Sequence, residues 1–405
     1  MIWSISWRNV WRNKLRSSVV IIAVAIGLFA GVFSAFFMKG WIAQRLNDVI
    51  NTEMSHIQLH KPKFKENYDF KYLIHDSDAK LAEISKIEGV KSCGKRIVIN
   101  SMVASAETGT GVKIIGIDTE NEKLVTNIHE KIIEGAYFEG VKRNPVVIGE
   151  KLAKKLDVGL RNKVVITVQD INGDITSGAF RVAGIYKTSN TAYDGANLFV
   201  RDTDIARLTG IEEGMYHEIS VVLEDNKFLE QSTNEISKLF PELSTENWKT
   251  LSPEMGYMDE LMGVYMYMIV IIILLALCFG IVNTMLMVVL ERVKELGMLM
   301  AIGMNRVKVF FMIILESIFL SITGGIVGII IGYFVTEYFG RVGMDLSMWG
   351  EGLEAMGFAA IIYPEVDFQT LIVISVMVIL TGIISALYPA YKALKLNPAD
   401  SIRTD

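Results

Sequence analysis

The histidines and cysteines are the first residues to consider for metal or nucleophilic chemistry in this chain of 405 residues. Cys93 lies in a polar region and Cys278 in a long apolar run, so we do not expect a disulfide or a shared metal ion. His56 and His60 bracket a short strand pattern, where four-residue spacing leaves the rings too far apart to share a metal without a third ligand. We expect both histidines on the surface, and the sequence predicts no metal site.

Motifs for nucleotide binding and hydrolysis are also absent from the sequence. No stretch matches GxxxxGK[ST], HExxH or GxSxG. The chain therefore has no phosphate-binding loop of that kind. We predict no catalytic residue and no cofactor bound by the chain itself.

One segment combines charged and apolar residues at helical spacing, directly after a long apolar run. Val264 to Leu290 contains no charged residue, and 27 helical residues span about 40 Å, more than the roughly 30 Å of bilayer hydrocarbon. The charged turn that follows contains Glu291, Arg292, Lys294 and Glu295, and after it come Leu296, Met298, Leu299, Met300 and Ile302. This segment is either a surface that another protein contacts or a simple connection between two membrane spans.

The composition places the chain in both membrane and water. It is 51% hydrophobic with a mean hydropathy of +0.36, yet 21% of its residues are charged. The net charge of −5 and the lack of a dominant basic patch exclude nucleic acid as an expected partner. We expect membrane spans joined to a water-soluble domain.

Hydropathy divides the chain into nine segments with four predicted transmembrane helices. The predicted order is an amphipathic helix (1–17), span one (18–39), an outer domain (40–260), span two (261–290), a charged connection (291–307), span three (308–338), an outer loop (339–367), span four (368–391) and a tail (392–405). Within 1–17, Trp3, Trp7, Val10 and Trp11 share one helical face, as in a helix lying at the membrane interface.

Basic residues indicate which side of the membrane each end occupies. They cluster before span one, between spans two and three, and after span four, namely Arg8, Arg12, Lys14, Arg16, Arg292, Lys294, Arg306, Lys308, Lys392, Lys395 and Arg403. By the positive-inside bias, these three places are cytoplasmic. We therefore predict a multi-pass protein with both termini inside.

Span three carries two further signals. Gly324, Gly328 and Gly332 recur every four residues, which predicts close approach of a neighbouring helix. Glu316 lies in the same span, and an acidic group there is expected to face protein or water rather than lipid. We interpret it as a helix-packing or helix-end hydrogen-bonding group.

The outer domain shows strand, helix and strand patterns near both of its ends and strand and turn patterns between them. This order predicts one α/β subdomain made from both ends of the segment, with a β-rich insertion. Asn172-Gly173 between two alternating runs predicts a hairpin.

Four motifs resemble those of the FtsX-like permease family. They are WRNVWRNKLRSS before span one, ERVKELGMLMAIG after span two, TGGIVGIIIG in span three and YPAYKALKLNPADSIR at the C-terminus. The family includes the LolC and LolE lipoprotein-releasing permeases, the MacB exporters and FtsX. The resemblance implies an α-helical membrane protein with four transmembrane helices and a large periplasmic MacB-like α+β domain of two lobes between helices 1 and 2.

The resemblance also implies how such a chain works. It would be the permease subunit of an ABC transporter, in which a separate ATPase dimer binds ATP and Mg and moves periplasmic domains through stiff helices. The residues of the implied ATPase-coupling segment are Glu291, Arg292, Lys294, Glu295, Leu296, Gly297, Leu299, Ala301, Ile302 and Gly303. Expected partners are that ATPase, a second permease copy or homologue, membrane lipids and a periplasmic lipoprotein chaperone.

The cargo is inferred less directly from the sequence than the fold is. Only about 17 residues precede span one, whereas MacB-like exporters usually carry a fused ATPase there, so we expect LolC/LolE-type release of lipoproteins from the inner membrane. A lipid anchor would need apolar, pliable side chains at the outer ends of spans one and two, and Phe36, Phe37, Met38, Met262 and Met266 supply them. However, the connection at Asn172-Gly173 is shorter than the chaperone-binding loop of LolC. MacB-like export and FtsX-like signalling to a periplasmic hydrolase remain alternatives.

Overall fold

The computed structural model describes residues 2–394, apart from the side chains of Ile2 and Arg16. The predicted tail positions Lys395 and Arg403 lie outside the described residues. The chain divides into two compact units. We call residues 2–42, 260–344 and 362–394 the helical unit, and residues 43–259 and 345–361 the β-rich unit.

The described chain forms helices over much of its length. The α-helices are α1 Ile2–Arg12, α2 Lys14–Asp48, α3 Phe64–Asn67, α4 Ser77–Ile84, α5 Thr119–Glu122, α6 Glu150–Leu156, α7 Thr191–Ala196, α8 Asp202–Thr209, α9 Leu229–Leu239, α10 Trp248–Leu251, α11 Pro253–Glu291, α12 Val293–Ala301, α13 Arg306–Val342, α14 Gly350–Ala355 and α15 Phe368–Leu394. A π-helical turn, Val49–Met54, continues α2, and short 3₁₀ helices cover Ile128–Lys131, Asn226–Phe228 and Ser347–Trp349.

Twelve strands accompany these helices. They are β1 Ile57–His60, β2 Val90–Ala104, β3 Gly109–Ile117, β4 Ile132–Gly135, β5 Pro145–Gly149, β6 Lys163–Gln169, β7 Ile175–Tyr186, β8 Asn197–Arg201, β9 Glu218–Leu223, β10 Ser244–Asn247, β11 Met344–Asp345 and β12 Ile361–Ile362. The predicted hairpin is confirmed, because β6 and β7 pair antiparallel on either side of Asn172-Gly173.

Four of the described helices are long and apolar enough to cross a membrane, which confirms the predicted fold class. They are α2 with its π-helical extension, α11, α13 and α15. Helices α2, α11 and α13 have 35, 39 and 37 residues, so each is longer than the roughly 20 residues that a bilayer requires. Helix length does not fix where the hydrocarbon begins, and the predicted limits of the spans stay predictions.

The glycines of α13 lie against α2, as their spacing predicts. A Cβ atom built on Gly324 would lie 2.8 Å from the carbonyl oxygen of Ile21, and one on Gly328 would lie 2.5 Å from that of Ala25. Such distances are shorter than real Cβ contacts. Only glycine therefore allows these two helix backbones to approach this closely.

Gly328→Ala is expected to destabilise the helical unit by about 1–3 kcal/mol, because the added methyl group overlaps the α2 backbone and overpacks the contact. Thermal unfolding of the purified chain in detergent would measure the change. Gly280→Ala is the matched control, since a Cβ there meets nothing within 4 Å. Equal melting temperatures for the two variants would contradict the close-packing interpretation.

The β-rich unit contains a closed barrel of six strands. Strand β2 pairs with β3, β3 with β8, β8 with β5, β5 with β7, β7 with β6, and β6 returns to β2. Apolar side chains fill its interior; on β6, for example, Val164, Ile166 and Val168 are buried and alternate with more exposed residues.

The ends of the outer segment extend the same sheet beyond the barrel. Strands β1, β9 and β10 are neighbours, and β9 pairs with the first half of β2. The second half of β2 belongs to the barrel. The two predicted subdomains therefore share one long strand and form a continuous ten-stranded sheet.

The expected exposure of His56 and His60 is wrong. Both are buried, because β1 lies between β9 and β10 rather than at an edge. The Leu223 backbone N–H donates to His56 Nδ1 over 3.2 Å, and burial lowers the pKa of His56 to about 4. His60 Nε2 lies 3.1 Å from Glu246 Oε2. These histidines are neutral core groups at pH 7 rather than surface residues.

Candidate coupling site

Aromatic and polar contacts hold the first helix against the third long helix. The rings of Trp3 and Trp7 meet Phe319 of α13 edge to face, with centroids 5.5 and 5.3 Å apart. On a more buried face, Ser6 Oγ donates to the Met312 carbonyl oxygen over 3.2 Å. The predicted amphipathic helix is thus anchored to α13 by its aromatic face and by a hydrogen bond beneath it.

Four charged side chains of alternating sign connect α1, α12 and α13. Arg12 Nη2 donates to both oxygens of Glu295, at 2.8 and 2.6 Å. Arg292 Nε donates to Glu295 Oε2 over 3.0 Å, and Arg292 Nη1 donates to both oxygens of Glu316, at 3.1 and 3.2 Å. Asn9 Nδ2 completes the set with a 2.7 Å bond to Glu316 Oε1. We call Asn9, Arg12, Arg292, Glu295 and Glu316 the charge relay.

Burial increases along the charge relay from Arg12 to Glu316. The Arg12 and Glu295 side chains are 55% and 42% exposed, whereas those of Arg292 and Glu316 are 14% and 5% exposed. Exposed ion pairs contribute little to stability, but removing one partner of a buried pair leaves an uncompensated charge. The Arg292–Glu316 pair is therefore the contact on which the relay depends.

The electrostatics at Glu295 and Arg292 favour the ionised forms of these two groups. Hydrogen bonds from Arg12 and Arg292 hold the pKa of Glu295 below its ordinary value, against the effect of partial burial. Burial alone would lower the pKa of Arg292, but the Glu316 and Glu295 carboxylates outweigh it and raise that pKa. Both groups are charged at neutral pH.

Breaks on either side of α12 set the position of the charge relay. Arg292 has non-helical backbone angles between α11 and α12, so the chain turns there. After α12, Gly303 has φ +103°, its N–H donates to the Met300 carbonyl, and the Met304 N–H donates to the Leu299 carbonyl. This is a Schellman C-terminus, which favours glycine at the left-handed position. Asn305 then caps α13 through its bond from the Val307 N–H.

The predicted coupling residues are divided between two faces of the segment. Leu296 and Gly297 are buried, and Leu299 packs partly against the helical core. Arg292 and Glu295 belong to the charge relay. The exposed members are Glu291, Lys294, Ala301, Ile302 and Gly303. Met298, which was not among the predicted residues, is 51% exposed, and Ile302 is 86% exposed, so these two supply the outward apolar surface.

The predicted substrate-cavity residues also differ in burial. Phe36 and Met266 are buried in the core of the helical unit, where they pack against neighbouring helices. Phe37, Met38 and Met262 are half-buried. The structure thus keeps three of the five accessible in this conformation.

An aromatic ladder on α2 was not foreseen from the sequence. Phe29, Phe33, Phe37 and Trp41 recur every four residues and are all half-buried. Successive ring centroids lie 5.9, 6.3 and 5.9 Å apart. We call these four residues the aromatic ladder. The i, i+4 spacing of aromatic residues was the signal that could have identified it.

Asn9, Arg12 and Glu316 were likewise missed as site residues. The hydrogen-bonding role predicted for Glu316 agrees with its contacts to Asn9 and Arg292. Its partners are 24 or more positions away in sequence, so no local pattern connects them. The i, i+3 spacing of Arg292 and Glu295 was a local sign of this charge pair.

Comparison with known families gives two matches. Residues 17–239 match the model of the MacB-like periplasmic core domain, and residues 267–398 match that of the FtsX-like permease C-terminal region. Together these matches extend over both units of the chain. The first alone covers more than half of its length.

Curated relatives agree with these matches. An uncharacterized ABC transporter permease of Methanocaldococcus jannaschii is 29% identical over 67% of this chain and 65% of its own length. LolC, the lipoprotein-releasing system transmembrane protein of Haemophilus influenzae, is 23% identical over 76% of this chain and 77% of its own length. The macrolide export ATP-binding/permease protein MacB of Escherichia coli is 26% identical over 56% of this chain, which spans only 34% of MacB.

Among solved structures, the extracellular domain of the ABC-type transporter YknZ from Gram-positive bacteria is similar to part of this chain. The superposition has a TM-score of 0.34 and 18% sequence identity. It covers 47% of this chain and 99% of that domain.

Proposed function

The chain belongs to the family of FtsX-like ABC transporter permeases with a MacB-like periplasmic core domain, and from this premise we propose that a separate ATPase drives it to release lipid-anchored proteins from the membrane. ATP and Mg would be bound by the ATPase dimer. The charge relay is the observation that most strongly supports coupling to an ATPase, because it links the segment 291–307 to two other helices, α1 and α13.

The segment 291–307 is the proposed docking site for the ATPase. Its outward side presents Met298 and Ile302 beside Lys294, a mixture of apolar and charged groups that is costly to leave in water. Its inward side is fixed by Leu296 in the helical core and by Arg292 in the charge relay. A push on the exposed side would therefore reach α1 and α13 through direct contacts.

Two long helices provide a route from the helical unit to the β-rich unit. The chain passes between the units within α2 and again near the start of α11. A continuous helix transmits displacement along its axis because its backbone hydrogen bonds resist compression. We infer that ATP-driven movement at segment 291–307 changes the β-rich unit in this mechanical way.

Orientation follows from the basic residues. We place α1, the segment 291–307 and Lys392 on the cytoplasmic side of the inner membrane, with the β-rich unit in the periplasm. A second permease, either a copy or a homologue, would complete the transporter. A periplasmic lipoprotein chaperone is a further proposed partner. Because the loop 170–174 between β6 and β7 is short, chaperone binding should be tested on the partner permease as well as on this chain.

The proposed cargo contact is the aromatic ladder together with Met38 and Met262. These side chains are half-buried, so they combine apolar surface with access from outside the helical core. Burying acyl chains is worth about 0.8 kcal/mol per CH₂ group. Phe36 and Met266 would join such a surface only if the helices moved apart.

Phe37→Asp is expected to weaken retention of a lipid-anchored protein by tenfold or more, because a carboxylate would replace an aromatic ring in the acyl-chain contact. The measurement is the amount of a labelled lipoprotein that co-purifies with the chain in detergent. Phe334→Asp makes the same chemical change on a 65% exposed side chain of α13, outside the ladder. If both variants retain cargo as the wild type does, the ladder does not bind acyl chains.

Identification of a co-purifying ATPase tests the first step of the proposal. The intact chain, purified gently from its own membrane, should bring with it a protein with a GxxxxGK[ST] motif that mass spectrometry can identify. A cell-wall hydrolase in place of a cargo lipoprotein would favour the FtsX-like signalling alternative. An outer-membrane factor would favour MacB-like export.

A further inference from the structure

The β-rich unit contains a polar cavity of about 340 Å³ with no assigned role. Its wall is made of buried or half-buried residues and combines three cationic groups with two carboxylates. The lining groups used below are Gln58, Lys65, Tyr68, Arg96, Lys113 and Glu218. Cavities of this size commonly hold small molecules.

The carboxylates of this cavity already have cationic partners. Glu218 Oε1 accepts from Arg96 Nη1 over 3.1 Å, and the other Arg96 nitrogens donate to Glu122, at 3.2 and 2.6 Å. Glu53 accepts from Arg45 over 2.6 Å. The two acids on the wall thus accept hydrogen bonds from arginine.

The two lysines, in contrast, have neutral hydrogen-bond partners. Lys65 Nζ donates to Gln58 Oε1 over 2.6 Å, and Lys113 Nζ donates to the Tyr68 hydroxyl over 3.3 Å. Among residues 2–394, neither ammonium has a carboxylate within 4.0 Å. Each ammonium has three donors, so most of their capacity is unused by these contacts.

The lysines also act on one another. Burial is the main cause that lowers the pKa of Lys65; Glu218 and Glu246 oppose it, and Lys113 and Arg96, with smaller effects, lower the pKa further. The three cationic groups therefore lie close enough to repel. An anion in the cavity would relieve this repulsion.

Aromatic packing fixes the segment that carries Lys65. Phe64 is fully buried and stacks on His217, with ring centroids 5.2 Å apart and planes inclined by 14°. Tyr68 contacts Phe64 edge to face at 5.1 Å, and its ring lies 4.8 Å from Lys113 Nζ. These contacts pack Phe64 and Tyr68, the neighbours of Lys65 in the chain, against the unit, and they place Lys113 Nζ over the Tyr68 ring.

We propose that this cavity binds the phosphate group of a small phosphate monoester, with Lys65 and Lys113 as its two cationic ligands. A phosphate monoester carries a charge of about −1.5 to −2 near pH 7 and offers three acceptor oxygens, which matches two ammonium groups with unused donors. The phosphate could belong to a soluble metabolite or to a lipid headgroup. The site is independent of the ATPase and of the aromatic ladder.

The test uses the intact chain and two probes. Glycerol 3-phosphate is titrated into the chain in detergent by calorimetry, and lipid binding is compared in nanodiscs with and without phosphatidic acid. Lys65→Met and Lys113→Met should each weaken binding of the effective probe about tenfold or more, since each removes a charge-assisted hydrogen bond. Lys71→Met, the same charge change at an exposed lysine nearby, should bind as the wild type does.

The outcomes separate the possibilities. Binding of glycerol 3-phosphate supports a soluble ligand, and lysine-dependent binding of phosphatidic acid alone supports a lipid headgroup. Equal binding of succinate, no saturable binding of either probe, or unchanged affinity in both lysine variants would overturn the proposal. Should a lysine variant fail to fold, Tyr68→Phe removes only the hydroxyl that Lys113 contacts and must also alter affinity.

Discussion

Arg292→Met is expected to destabilise the helical unit by about 3–5 kcal/mol, because it leaves the buried Glu316 carboxylate without its cationic partner. The same change removes one of the two arginines that bind Glu295. The side-chain link from Glu295 of α12 to Glu316 of α13 is then lost. Thermal unfolding in detergent would measure the stability, and ATP hydrolysis by the co-purified ATPase would measure coupling. We expect both to fall.

Two controls separate the buried pair from general effects of losing an arginine. Arg341→Met removes an arginine from an exposed ion pair, in which the side chains of Arg341 and Glu337 are 78% and 37% exposed. This substitution should lower the stability by less than about 1 kcal/mol. Arg292→Met combined with Glu316→Met replaces the whole pair by apolar groups and should regain most of the stability. If the double variant were as unstable as the single one, an uncompensated charge would not be the cause.

Ile302→Asp is expected to weaken ATPase binding about thirtyfold without unfolding the chain. A substitution at an interface hot spot costs about 2 kcal/mol or more, and we expect Ile302 to be such a residue because it is apolar, 86% exposed and outside α12. Co-purification of the ATPase at increasing dilution would measure the affinity. Met298→Asp should act in the same direction.

The control for this prediction is Leu124→Asp, which places the same charge on a 65% exposed residue of the β-rich unit. It should leave ATPase binding unchanged. Tight binding by both Ile302→Asp and Met298→Asp would show that the ATPase contacts another part of the chain.

Several features of the fold could be predicted from local sequence. The four apolar helices are signalled by uninterrupted hydropathy, the α13–α2 contact by glycine spacing, and the β6–β7 hairpin by Asn172-Gly173. Each signal is contained in a short stretch of chain. The physical cause, such as space for a backbone or a left-handed turn, is therefore visible without knowing the rest of the fold.

Other features depend on which segments meet, and these could not be predicted. The burial of His60 follows from β1 lying between β9 and β10, which are more than 150 positions away. The inward face of Leu296 follows from its packing in the helical core, while helical periodicity alone allowed it to point outward. The charge relay likewise joins Arg12 to Glu295 over 283 positions.

The most direct test of the proposed function is ATP-driven release of a lipid-anchored protein from vesicles that contain the chain, its partner permease and the ATPase. A fluorescently labelled lipoprotein would be followed with ATP and Mg, and separately with a non-hydrolysable ATP analogue. We predict release only with ATP, and its loss in the Arg292→Met chain. Hydrolysis of ATP by the wild-type complex with no release of the lipoprotein would contradict lipoprotein release as the function.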